Sequence, residues 1–167
     1  MIILISGPIN AGKTTIGRAL SASLPQTAHV EVDTLREFVP FLPLEEAIPI
    51  NLENAATIAR NFIQRGFGVV LTYPLGQADY DYLLDAFTDL SVPIHTFILG
   101  PTLATALADR GARLLSEHER RRIREQYNDG RHRAPFGIRL DTTAQTPAET
   151  VATILHHIRA PQGTDAP

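Results

Sequence analysis

The chain opens Ile2-Ile3-Leu4-Ile5-Ser6-Gly7-Pro8-Ile9-Asn10-Ala11-Gly12-Lys13-Thr14, and this stretch decides how the rest is read. Ile2 to Ser6 is a continuous apolar, β-branched run of strand length, which predicts a strand buried on both faces. Residues 7–13 are rich in turn formers. From Lys13 the spacing becomes helical, with Ile16, Ala19, Leu20 and Leu24 on one face, and it stops at Pro25. The order is therefore strand, glycine loop, helix.

Gly7-x4-Gly12-Lys13-Thr14 is the Walker A spacing in full. Glycines let the chain curl around an anion with its N–H groups turned inward. The following helix adds the positive end of its dipole. Lys13 is then expected to reach the β- and γ-phosphates of a nucleotide, and the Thr14 hydroxyl to ligate Mg²⁺. Gly7, Asn10, Ala11, Gly12, Lys13, Thr14 and Thr15 make up the expected nucleotide-binding set. Of the fifteen basic residues fourteen are arginine, and Lys13 is the only lysine. A lysine kept at this one place hints that arginine cannot do its work. The alternative is a plain glycine turn that starts a helix.

Composition bounds the rest. The 167 residues suit one domain, with 44% hydrophobic and 20% charged residues. The net charge of −3 gives no overall pull toward nucleic acid or an anionic membrane. There is no cysteine, which excludes disulfides, thiolate metal sites and a cysteine nucleophile. The six histidines show no metal spacing, so neither zinc nor a histidine nucleophile is expected. Ile2 to Ile5 is too short for the apolar stretch of a signal peptide or a membrane span, so the expectation is a soluble cytoplasmic protein.

Strand and helix patterns then alternate. Strands are expected at His29–Val32, Phe67–Tyr73, Pro93–Leu99 and Phe136–Leu140. Helices are expected from about Leu52 to Arg65, with Asn51 as N-cap, and over 77–89, Thr102–Asp109 and 116–129. Thr146-Pro147-Ala148-Glu149 opens a last helix with a capping box and runs to about Ile158. Residues 34–50, with Pro40, Pro43 and Pro49, read as irregular, and 160–167 as a disordered tail. The predicted fold is α/β, a five-stranded parallel sheet with helices on both faces, in one domain over 1–159.

Other loop-bearing classes fit poorly. A GTPase reads guanine with Asn-Lys-x-Asp, and the only lysine is already used. No Asp-x-x-Gly switch motif is present, and Val69 to Tyr73 ends without the acidic pair of a motor ATPase. At this point the chain resembles the small-molecule P-loop kinases: shikimate and gluconate kinases, chloramphenicol phosphotransferase and the zeta-toxin-like kinases. The resemblance rests on the glycine loop, on Asp33 and Arg36 after the second strand, and on Arg110-Gly111-Ala112-Arg113-Leu114-Leu115 after the fourth. Arg124 to Tyr127 and Leu140-Asp141-Thr142-Thr143 are further points of likeness. It implies a three-layer sandwich with strand order 2-3-1-4-5, ATP and Mg²⁺ as cofactors, and a small-molecule hydroxyl as acceptor. Lys13, Asp33 and Arg113 would be catalytic, Arg110 would join the nucleotide set, and Asp33, Arg36 and Tyr73 would bind the acceptor. The third strand departs from the family pattern, ending in Thr72-Tyr73-Pro74-Leu75-Gly76.

Several candidates have plainer alternatives. Asp33 could be a helix N-cap, Glu31 a surface pair and Arg36 a partner of Glu37. Phe38, Val39, Phe41 and Leu42 could line an acceptor pocket or simply pack under a loop. Residues 110–133 carry eight arginines and four acids, the composition of a cationic lid. Arg120, Arg121, Arg122 and Arg124 cannot all face one ligand: most are expected to be solvated or paired with Glu117, Glu119 and Glu125, and Arg121 or Arg124 is the candidate to reach the site. A regulator that binds nucleotide without turnover and a 5′-hydroxyl polynucleotide kinase remain the alternative functions.

Overall fold

A computed structural model describes residues 1–109 and 114–160. Five strands form one parallel sheet: β1 (Ile2–Ser6), β2 (Thr27–Glu31), β3 (Gly68–Thr72), β4 (Ile94–Leu99) and β5 (Ile138–Leu140). Their order is β2-β3-β1-β4-β5, as the family resemblance implied. The order reverses direction at β1, so the crevice at its carboxyl end is where an open sheet of this kind binds ligands.

The all-apolar β1 is explained by its position. Ile2 and Leu4 face one core with Val30, Val69 and Leu71, under α3 (Leu44–Ile63) and α4 (Gln77–Phe87). Ile3 and Ile5 face the other with Val70, Phe97 and Leu99, under α1 (Lys13–Ser23) and α7 (Pro147–Arg159). Both faces are buried, so period-two alternation disappears. A third cluster joins α5 (Leu103–Leu107) to α6 (Glu117–Asn128) through Ala106, Ile123 and Tyr127, with Leu115 between them and Ile9 of the glycine loop against it. The α6 helix therefore rests on the loop itself.

The largest departures from the expected bounds fall after β2 and in α3. The second strand ends at Glu31, because Val32–Leu35 turns into a short helix, α2. The stretch read as irregular contains a 3₁₀ turn at Arg36–Phe38 and the first two turns of α3. That helix starts at Leu44, after Pro43, and not at Leu52. Asn51 is therefore not a cap: it is a buried mid-helix residue between turns bearing Ala47 and Ala55. Pro49 inside the helix misled the reading. A proline there leaves the Glu45 carbonyl without its helical donor, and packing of Ala47, Leu52, Ala55, Ala56 and Ala59 onto the core carries the helix through it. The expected capping box at Thr146 is present: Thr146 Oγ1 accepts from the Glu149 amide at 3.3 Å, and Glu149 accepts from the Thr146 amide at 2.8 Å. Of the expected tail, residues 161–167 lie outside the described part of the chain.

Gly7 fixes the entry to the loop. Its φ is +138°, and a Cβ there would meet the Leu99 carbonyl oxygen at 2.4 Å. Backbone cannot retreat as a side-chain tip can. Gly7→Ala should cost on the order of 3 kcal/mol, read as a fall in Tm of about 6–12 °C by calorimetry. An unchanged Tm would remove the close approach of Gly7 to β4.

Candidate active site

The glycine loop joins β1 to α1. Gly7, Asn10 and Gly12 have φ of +138°, +62° and +96°, and this left-handed geometry curls the loop. Asn10 tolerates it because its side chain is anchored, donating to the Ala106 carbonyl at 2.9 Å and the Ala108 carbonyl at 3.1 Å. Ile9 donates its amide to Gln126 Oε1 at 2.7 Å, which ties the loop to α6. Ile16 makes the first intrahelical bond of α1, to the Gly12 carbonyl at 3.0 Å. The amides of Thr14 and Thr15 precede it and have no intrahelical acceptor. Lys13 Nζ donates to the Pro8 carbonyl at 2.8 Å, so the ammonium lies back across the loop.

Thr14 Oγ1 donates to Glu31 Oε1 at the end of β2. Arg18 reaches the other oxygen of Glu31 at 3.5 Å. Ile9, Asn10, Gly12, Lys13, Thr14, Thr15, Glu31 and Asp33 surround one cavity of about 420 Å³. Asp33 is not a helix N-cap: Glu31 holds that position of α2, and Asp33 lies in its first turn. Its carboxyl is open to the cleft, yet the protein walls around it strip solvent and push its pKa above the usual carboxylate range. Lys13 pulls it back down, Glu31 raises it, and Arg36 lowers it again.

A second cavity, of about 310 Å³, adjoins the first, and Ile9 and Asp33 line both. Asp33, Arg36 and Tyr73 all line it, so the three expected acceptor residues come together. Tyr73 is 7% exposed. Its phenol is pushed up to about 12 by burial, with Asp33 and Asp79 adding to the shift, so it remains a neutral donor at working pH. Arg36 forms no ion pair among the described residues, and the alternative partner Glu37 does not engage it. Ser6 Oγ accepts from the Leu75 amide at 3.0 Å, pinning the segment after β3 against β1.

Several lining groups of this cavity escaped the sequence reading, among them Asp79, Arg131, His118 and Arg122. Asp79 accepts from the Gly76 amide at 2.8 Å and lies 4.0 Å from Arg131. Arg131 also donates to the Pro74 carbonyl, so it braces the segment that carries Tyr73. His118 and Arg122 are one turn apart on α6 and face the cavity. The expectation of Arg121 or Arg124 is corrected: both are exposed on the outer side of α6, while Arg122 lines the cleft. The i, i+4, i+8 series His118, Arg122, Gln126 was the available signal. Arg120 is spent on structure, donating to the Leu107 carbonyl at 2.6 Å and to Asp109 at 2.8 Å. Phe38 and Phe41 do not line the cavity; they are 78% and 79% exposed, and Leu44 and Ile48 of α3 supply its apolar wall. Arg110 and Arg113 lie outside the described residues.

A third cavity, of about 90 Å³, flanks the loop on the α7 side and is lined by Ala11, Gly12, Thr15, Thr142, Gln145 and Thr150, among others. Thr142 Oγ1 is buried there without a hydrogen-bond partner.

No family model matches the chain, and no curated protein matches it in sequence. Solved structures do match in three dimensions. The tunicamycin resistance protein of Deinococcus radiodurans superimposes with a TM-score of 0.67 at 20% identity, over 95% of each chain. A gluconokinase from Sinorhizobium meliloti 1021 gives 0.64 at 18% identity, over 93% of this chain and 94% of that one. The shikimate kinase of Aquifex aeolicus gives 0.59 at 17% identity, over 95% and 96%. The chain has the small-molecule P-loop kinase fold. Within that fold the glycine loop, the acidic end of β2 and the segment after β3 meet at one cleft.

The residues present fit a nucleotide and a divalent cation. The curled loop offers amides and an ammonium to phosphate. The Thr14 hydroxyl, Glu31 and Asp33 line the same cavity, a hard-oxygen set suited to Mg²⁺ that keeps waters and phosphate oxygens as its other ligands. Among the described residues no group of three or more acids or histidines forms a metal cluster. No helix of the described residues is long and apolar enough to cross a membrane.

Proposed function

We propose that this protein is an ATP- and Mg²⁺-dependent phosphotransferase that phosphorylates a hydroxyl of a small molecule. One observation carries the reading. The phosphate cavity lies between the other two, sharing Gly12 and Thr15 with the α7-side cavity and Ile9 and Asp33 with the Tyr73 cavity. A nucleoside on one side and an acceptor on the other would meet at the loop. The similar structures named as kinases support the same reading.

In this scheme the bound nucleotide supplies the transferable phosphoryl group, and Mg²⁺ offsets charge on its oxygens. The loop amides and Lys13 hold the phosphates in place. Thr14 would hold the metal, its hydroxyl exchanging the Glu31 contact for the cation. Tyr73 donates to the acceptor and Arg36 places it. Asp33 would orient the acceptor hydroxyl and take its proton as the oxygen bonds to the γ-phosphorus and the bond from that phosphorus to the β,γ-bridging oxygen breaks, leaving ADP. Arg110 and Arg113, proposed from sequence, would stabilise charge on the transferring group. Most of the rate then comes from positioning and electrostatics.

The test is ADP release with Mg-ATP and a panel of hydroxylated metabolites and antibiotics. Acceptor-dependent release is the expected result. Tight nucleotide binding with no acceptor effect would replace the reading with that of a regulator. Oligonucleotide binding with a steep salt dependence would point to a polynucleotide kinase.

A further inference from the structure

The Tyr73 cavity does not end at Ile48 and Asp79. Both residues also line a second hollow between α3 and α4, of about 280 Å³, walled by Pro49, Leu52, Ala78 and Tyr82. The two hollows therefore lie side by side, with Ile48 and Asp79 common to both. The groove is open and apolar: Tyr82 is 42% exposed, and Ala78 is exposed on the first turn of α4. Pro49, a costly residue inside a helix, gives its ring to this wall.

Charge separates the two parts. The Tyr73 cavity is lined by three acids, Asp33, Asp79 and Glu119, and three arginines, Arg36, Arg122 and Arg131. It is balanced and polar. The groove has two carboxylates at its edge, Glu53 and Asp79, and no basic residue in its lining. It would repel an anionic tail and reward an uncharged apolar one.

We propose that the acceptor has two parts: a hydroxyl-bearing polar head beside Asp33 and Tyr73, and an uncharged alkyl or aryl substituent that lies in the α3/α4 groove. The head rests on the kinase reading above; the affinity of the groove for an apolar group does not depend on catalysis.

The test uses n-octyl β-D-glucoside, below its micelle concentration, and glucose. Each is titrated into protein labelled at the methyl groups of isoleucine, leucine and alanine. The octyl compound should shift Ile48, Leu52 and Ala78 and glucose should not. Ala78→Trp, at an exposed site, fills the groove and should abolish the Ile48 and Leu52 shifts while resonances across the sheet stay in place. Absence of groove shifts, or equal shifts in A78W, overturns the assignment. In the kinase assay, acceptors carrying an octyl or phenyl group should exceed their unsubstituted parents by about tenfold in kcat/KM, and A78W should bring that ratio close to one. Turnover without that preference also overturns it. Groove shifts with no turnover of any acceptor in the panel would defeat the kinase reading and keep the groove as an apolar subsite.

Discussion

Lys13→Ala is expected to lower kcat/KM for Mg-ATP by about 10²–10³-fold and to remove most of the calorimetric signal of nucleotide binding. Lys13 is the only ammonium side chain in the sequence, so no neighbouring lysine can stand in. Its Nζ already lies over the loop, 2.8 Å from the Pro8 carbonyl. An ammonium carries three donors, which lets it keep that bond and reach a phosphate oxygen. Lys13→Arg should not restore the rate, because a planar guanidinium does not fit where a compact point charge is held against the backbone. Thermal stability should change little, since the residue starts a helix and contributes nothing to either main core. If Lys13→Ala bound Mg-ATP as tightly as the parent, the phosphate site would have to lie elsewhere.

Asp33→Asn should lower turnover by about 10²–10⁴-fold if Asp33 takes the acceptor proton, with a smaller effect on nucleotide binding. The pH profile separates this role from a merely structural one. Burial places the Asp33 carboxyl above the usual carboxylate range. A base must be ionised, so the rate of the parent protein falls as pH drops through that raised value, and Asp33→Asn loses this limb. The stability effect has the opposite sign. A raised native pKa means the folded state holds the proton more tightly than the unfolded chain. Stability from this group is therefore greatest at low pH and is lost as pH rises through the raised value. Asp33 is exposed on the cleft side, so this effect is small and Asp33→Asn should melt close to the parent temperature. A variant that lost both activity and Tm would have failed through folding, and one that kept full turnover would remove Asp33 from the chemistry.

Much of the site was legible because its chemistry is local. The Walker A spacing from Gly7 to Thr14 demands a curled backbone, and glycine, asparagine and lysine advertise it in eight residues. Asp33 and Arg36 follow a strand end by a few residues, so a one-dimensional reading could place both beside the loop. The Arg121 and Arg124 expectation failed for a geometric reason. A run of arginines around a helix carries no mark of which side meets a cavity until the helix is docked, and α6 is docked by Ile123, Tyr127 and the bond from Ile9 to Gln126. Pro49 misled in the same way. Local propensity says stop, and core packing on the far side of the helix says continue.

By itself the sequence determined the strand–loop–helix unit, the alternation that makes a parallel sheet, and the cap at Thr146, because each depends on residues within about one or two helical turns of one another. The tertiary structure alone decided which side of α6 faces the cleft, that Asp79 and Arg131 brace the segment bearing Tyr73, and that α3 and α4 leave an apolar groove beside it. Those are contacts between residues dozens of positions apart, such as Arg131 with Pro74 and Asp79. They exist only once burial of both sheet faces has fixed where each helix lies.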